Sequence, residues 1–282
     1  FGKNDLQLSL MGMGEASLYP RVVLEAIYDL EQKGIIAKTR ISTIGNLRLL
    51  RRMENLVSRI FTAGIRPPML QLSLQSSDDK IRRSLLRNPH LISDLEDILK
   101  FAIGYNRKLD ILDRVDVRVT LMAGINDNNA EAEKLAKRIR RVCEREGYAG
   151  DFHIKVTPVN PIVSGFSAPD LDKLVAYVET INNLGLPHIF AFRTGGELAD
   201  RTQIGGVSCG TLVGKRNEAG VLPYSMDLIV TTKCTEKCHI CFGEFTPEHE
   251  DVNFNQQKRM IDRMYKNGTR RLIFTGGEPL LV

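Results

Sequence analysis

Ser9–Ala16 reads SLMGMGEA, and Leu272–Pro279, near the other end of the chain, reads LIFTGGEP. Each is an apolar run that breaks into a glycine turn and then presents a glutamate. Apolar runs bounded by glycine read as strands, so Glu15 and Glu278 both stand at the carboxyl end of one. Parallel α/β sheets build their ligand sites at that end. A plain tight turn explains either short match equally well on its own, and the surrounding sequence has to decide.

Working outward, short apolar runs alternate with longer helical patterns. Strands are expected at Leu6–Met11, Thr39–Thr43, Leu70–Leu74, Val115–Met122, Phe152–Pro158 and His188–Phe192. Helical periodicity covers Arg21–Lys33, Leu47–Ala63, Leu95–Ile103, Ala130–Arg145 and Asp170–Asn183. This is the βαβ rhythm of a parallel sheet. A polar, glycine-bearing passage, GKRNEAGVLP, follows Val213, and a new unit then begins: strand Met226–Thr231, a cysteine loop, helix Gln256–Lys266 and strand Arg271–Thr275. The fold class expected is α/β, a parallel (β/α)6 partial TIM-type barrel followed by the start of a second such barrel. Residues 1–213 would be a barrel body lacking its first strand, 214–222 a linker and 223–282 the start of a second domain. A single permuted barrel that borrows its cysteine strand from the carboxyl end is the alternative. The duplicated glutamate turn favours tandem domains, because one barrel needs one such turn.

A chain of 282 residues with 43% hydrophobic and 26% charged residues has the composition of an ordinary folded protein. Its formal charge of +5 permits an acidic partner without indicating one. No apolar run approaches the ~20 residues of a membrane helix and no leader opens the chain, so a cytoplasmic protein without membrane contact is expected. Phe1 stands where an initiator methionine would, and RRLIFTGGEPLLV stops where a helix is due, as in a fragment of something longer. Five cysteines, an odd number with three packed together, read as metal or redox chemistry rather than a disulfide framework.

Those three occupy CTEKCHIC, Cys234–Cys241, spaced Cys-x3-Cys-x2-Cys. Thiolates are soft ligands that select zinc or iron–sulfur clusters. A structural zinc site wants four ligands, usually two Cys-x-x-Cys pairs. No second pair follows, and His239 lies too close to Cys238 for its ring to reach the same metal easily. A cubane with four irons fits differently: Cys234, Cys238 and Cys241 hold three irons and the fourth stays open to a small molecule.

This spacing, with Phe242 after the last cysteine, DLIVTT leading in and Gly276-Gly277-Glu278-Pro279 after the next strand, resembles the radical S-adenosylmethionine superfamily. The resemblance implies a 4Fe-4S cluster whose open iron chelates S-adenosylmethionine. It also implies reductive cleavage to methionine and a 5'-deoxyadenosyl radical, and an external electron donor such as flavodoxin or ferredoxin. Gly276, Gly277 and Glu278 would hold the methionine ammonium, a charge-assisted contact that suits a carboxylate. Residues 6–213 resemble the ribosomal-RNA adenine methyltransferases of that superfamily, without their cluster loop. MGMGEA resembles their MGMGEP turn, RISTIG their serine turn, LQLSLQSS their SLHA turn, VTPVNPIVSG their NP turn and SCGTL their closing ACGQL. The likeness implies that Gly14, Glu15, Ser42, Ser73, Leu74, Gln75 and Asn160 contact S-adenosylmethionine. It further implies that Cys209 carries a methyl group as the catalytic residue, and that the substrate is RNA. Ala16 stands where the family has proline and Gln75 where it has histidine.

Plainer readings stand beside these. Ser42 and Ser73 sit where serine often caps a turn, Asn160 before Pro161 is a common turn opener, and Cys209 suits an inert packed thiol as well as a methyl carrier. Cys143 lies in the helical pattern KLAKRIRRVCEREG and reads as structural. Its basic neighbours Lys134, Lys137, Arg138, Arg140 and Arg141 are spread around the helix and read as a solvated face. Against the enzyme stands a non-catalytic iron–sulfur module for electron transfer or structure, which would ordinarily ligate its cluster with four cysteines.

Overall fold

The computed structural model describes residues 6–10, 15–34, 36–61, 66–85, 92–111, 114–159, 166–193, 225–231, 254–266 and 271–276. The strands are β1 (Leu6–Leu10), β2 (Ile36–Thr43), β3 (Met69–Ser73), β4 (Arg114–Leu121), β5 (Asp151–Pro158), β6 (Ile189–Arg193), β7 (Ser225–Thr231) and β8 (Arg271–Gly276). Between them lie α1 (Pro20–Gln32), α2 (Leu47–Ile60), α3 (Asp79–Ser84), α4 (Leu95–Lys108), α5 (Asn129–Glu146), α6 (Leu171–Asn183) and α7 (Phe254–Lys266). All neighbouring strands run parallel in one sheet of order β6-β5-β4-β3-β2-β1-β8-β7. The expected α/β partial barrel is present in β1–β6. The two carboxyl-terminal strands extend the same sheet, with β8 paired to β1 and β7 to β8.

Local chemistry sets the helix boundaries. Pro20 occupies the first turn of α1, where a missing N–H is harmless. Asn46 and Asn128 cap α2 and α5, their carboxamide oxygens accepting from Leu49 N at 3.1 Å and Glu131 N at 2.9 Å. Gly147 ends α5 in the left-handed conformation. Helix α4 runs past the expected Ile103 to Lys108. Gly104 is tolerated inside it because Tyr105 is buried and donates to the Pro68 carbonyl at 2.9 Å, holding the last turn down.

The sheet has two unlike faces. Alternate residues of β1–β6 (Leu8, Ile41, Leu70, Leu72, Val115, Val117, Val119, Phe152, Ile154, Val156, Ile189, Ala191) are buried against the helices in two clusters. The residues between them are polar, charged or aromatic. A parallel sheet packed on both sides reads as continuous apolar strands, so this alternation marks a face that helices among the described residues leave uncovered. Cys143 is buried in the larger cluster, and burial pushes its thiol up to about 11, as suits an inert structural cysteine.

Candidate functional site

The site is assembled at the carboxyl edge of β1–β5. Glu15 follows the β1 turn and caps a short 3-10 helix, Ala16–Leu18. Its carboxylate accepts from the Ser17 hydroxyl at 2.6 Å and, across to the next strand, from Ile44 N at 2.9 Å. Burial pushes this carboxyl up, against the lowering effect of those bonds. No cationic side chain pairs with it among the described residues, so this edge of the sheet offers a desolvated carboxylate that a ligand ammonium would complement.

Ser42, near the end of β2, accepts from Gln71 Nε2 at 3.0 Å. Ser73 ends β3. The Leu74 side chain is buried in the core, and its carbonyl accepts from Ser76 N at 2.7 Å. Gln75 adopts φ 63°, unusual for a side chain of its size. It is held there by Asn126, which donates to its carbonyl, and by Thr120 N, which donates to its Oε1 at 3.3 Å. Gly276 is the last residue of β8. Gly14, Asn160, Cys209, Cys234, Cys238, Cys241, Gly277 and Glu278 lie outside the described residues.

The turn after β2 depends on Gly45. Its φ of +90° is costly for any residue with a Cβ, and a Cβ built there falls 2.8 Å from Ile98 Cγ1 of α4. Gly45→Ala is expected to destabilise the chain by about 2–4 kcal/mol, the sum of left-handed backbone strain and overpacking. A urea midpoint equal to wild type would contradict that account of the turn.

Two side chains that sequence reading passed over brace these loops from beneath. The Arg82 guanidinium, 2% exposed, donates to the Leu74 carbonyl at 3.1 Å, the Ser93 carbonyl at 2.9 Å, the Ile44 carbonyl at 3.4 Å and Asp79 Oδ1 at 2.7 Å. Buried Glu131 receives the hydroxyls of Ser76 and Ser77.

The uncovered face runs down from this edge as cross-strand rows. Ser42, Gln71, Asp116, His153 and Phe190 form one row and Ser73, Arg118, Lys155 and Phe192 the next. Asp116 pairs with Arg40 at 2.8 Å and Arg114 at 3.0 Å. The His153 ring meets Phe190 and Phe192 edge-on at centroid distances of 5.8 and 6.2 Å. Burial, followed by repulsion from Arg40 and Arg114, pushes the Lys38 ammonium down. The face is therefore cationic with an aromatic margin, the chemistry that accommodates an anionic, ring-bearing ligand. The strings RVDVRVTL and DFHIKVTP carry this alternation and would have revealed it.

This chain resembles the RlmN RNA methyltransferases. It is 28% identical over 211 residues to a probable dual-specificity RNA methyltransferase RlmN of Thermus thermophilus, covering 72% of this chain and 51% of that protein. It is 31% identical over 184 residues to the corresponding protein of Cutibacterium acnes, covering 63% of this chain and 42% of that one. A ribosomal RNA large subunit methyltransferase N of Nitrosopumilus maritimus is 25% identical over 186 residues, covering 66% and 48%. The chain thus spans about half the length of the RlmN relatives it matches. Among solved structures, a radical SAM methyltransferase from Sphaerobacter thermophilus superposes with TM-score 0.51 at 21% identity, over 69% of this chain and 52% of its own, a likeness of fold. No protein-family model matches. No helix among the described residues is long and apolar enough to cross a membrane.

Proposed function

We propose that this chain is part of a radical S-adenosylmethionine enzyme that methylates RNA. The observation that carries the reading is the likeness to RlmN over 211 residues. The three-cysteine loop and the GGEP turn are its independent support. Cys234, Cys238 and Cys241 would hold a 4Fe-4S cluster, and Gly276, Gly277 and Glu278 the methionine end of S-adenosylmethionine beside it. Gly14, Glu15, Ser42, Ser73, Leu74, Gln75 and Asn160 are the corresponding set on the first barrel. The desolvated Glu15 carboxylate, lacking a cationic partner among the described residues, fits the ligand's ammonium. The cluster, once reduced by a donor such as flavodoxin or ferredoxin, supplies the electron for cofactor cleavage. The chain's own part is to bind, orient and shield.

The duplicated glutamate turn supports reading residues 1–213 and 223–282 as contributions from two successive domains, while the pairing of β8 with β1 in one sheet favours the alternative, a single permuted barrel. A non-catalytic iron–sulfur module fits less well, because the loop offers three thiols and such clusters use four.

The test is anaerobic reconstitution of the chain with iron and sulfide. A brown 4Fe-4S species whose spectrum changes on adding S-adenosylmethionine is expected, and Cys238→Ala should lose most of the iron. Full iron retention in that variant would sink the cluster assignment. An intact cluster indifferent to S-adenosylmethionine would leave the electron-transfer module as the better reading.

A further inference from the structure

Most basic residues on α5 are already engaged. Lys134 pairs with Asp78 at 2.9 Å, Lys137 with Glu133 at 2.7 Å, Arg138 with Asp79 at 3.1 Å, Arg140 with Glu144 at 2.6 Å and Arg141 with Glu96 at 3.5 Å. Helix α2 is different. Arg48, Arg51, Arg52 and Arg59 are exposed on it, and none of the four makes an ion pair among the described residues. With Asn55, and with Arg21 of α1, they line an open groove of about 720 Å³ between the two helices. Among the described residues no carboxylate lines the groove, and the nearby Glu25 is held by Arg21 at 2.8 Å.

Helix stability does not favour this arrangement. Like charges three or four residues apart repel by roughly 0.2–0.5 kcal/mol per pair, and α2 sets Arg48 at that spacing from both Arg51 and Arg52. Arg48, Arg52, Asn55 and Arg59 recur at helical spacing on one side. At ~1.5 Å per residue the stripe is roughly 16 Å long. A line of forked guanidinium donors of that length matches a chain of phosphates better than a single ion.

We propose that the groove between α1 and α2 binds the phosphate backbone of RNA. It lies on the helix side of the sheet, away from the uncovered polar face, so it is an outer contact separate from the carboxyl-edge site. The inference rests on the RNA-methylation reading for its choice of polyanion. Its role is to hold a long substrate in register: contacts remote from the reacting atoms supply binding energy that positions them. Contact through phosphates makes the affinity steeply salt-dependent and indifferent to base sequence.

The test is fluorescence anisotropy of a short labelled RNA hairpin with the 282-residue chain across a salt series. Arg48→Gln/Arg52→Gln/Arg59→Gln keeps good helix formers at exposed positions, and Arg52→Gln alone serves if the triple variant melts early. For the triple variant the expected result is an affinity about 10–100-fold weaker, with a plot of log affinity against log salt shallower by roughly 2–3. A control of equal charge change, Lys134→Gln/Lys137→Gln/Arg140→Gln on α5, should leave both unchanged. Equal affinity and slope in the α2 variant, or equal weakening by the α5 control, would overturn the proposal. The measurement needs neither cluster nor S-adenosylmethionine, so a failed cofactor-cleavage assay leaves its outcome intact, and a failed groove leaves cleavage intact.

Discussion

Incubated with methyl-labelled S-adenosylmethionine, the intact protein, with whatever sequence flanks these residues, is expected to carry one methyl on its Cys209 peptide. Cys209→Ala should carry none and should lose RNA methylation altogether. The step proposed for Cys209 is displacement: its thiolate forms a bond to the methyl carbon as the sulfonium bond breaks, leaving S-adenosylhomocysteine, and the thiol proton passes to solvent. The thiolate is the nucleophilic form, so the step requires a partly exposed cysteine rather than one like Cys143, whose thiol burial pushes up to about 11. Gly205, Gly206 and Gly210 lack a Cβ and would let the backbone approach a cofactor closely. Peptide mass spectrometry reads the outcome. An unmodified Cys209 peptide from protein already seen to cleave the cofactor would keep the radical enzyme and remove the methyltransferase.

Replacing Arg82 by methionine is expected to destabilise the chain by about 3–5 kcal/mol, the usual effect of removing one partner from a buried charge network. Four acceptors lose a donor at once: the carbonyls of Leu74, Ser93 and Ile44, and Asp79. Arg82→Lys keeps the charge but not the fork, so it should recover part of the loss. Acid sensitivity reports the same network. Burial works to raise the Asp79 carboxyl, but bonds from Arg82 and Leu95 N and the nearby Arg138 charge outweigh it and hold it below its ordinary value. Its contribution to stability is therefore complete above the ordinary carboxylate range and lost as pH falls through the depressed value. The methionine variant should lose less on acidification than wild type. Urea midpoints at neutral and acid pH test both claims, and a variant matching wild type at neutral pH would show that Arg82 does not brace the loops.

Elements were legible where periodicity and punctuation agree. β5 was expected at Phe152–Pro158 and spans Asp151–Pro158; α6 was expected at Asp170–Asn183 and spans Leu171–Asn183. Helix α2 was expected to reach Ala63 but ends at Ile60, with Phe61 as an extended cap. Helix α3 has only six residues, too few to show a period, and its Arg82 donates to carbonyls 8 to 38 residues away. The turn that sets Glu15 after β1 was legible because its glycines and the preceding apolar run are local signals, whereas Ser42 and Gln75 were named through the family resemblance alone. Arg82, Glu131 and the pairing of Asp116 with Arg40 were not legible, because long-range register creates them.

The strand order has one more consequence. β1 lies between β2 and β8, and the β8 partner of Leu8 is Leu272. During synthesis β2 follows β1 almost at once, but roughly 260 residues must be made before β8 exists, which takes roughly 13–50 s at ordinary elongation rates. Throughout that interval β1 lacks the β8 partner it has in this structure, and a strand edge left open recruits any extended segment nearby. The turn that presents Glu15 therefore sits beside a strand edge whose partner in this structure is the last described strand to be made, and contacts of such high sequence separation are the slowest kind to form.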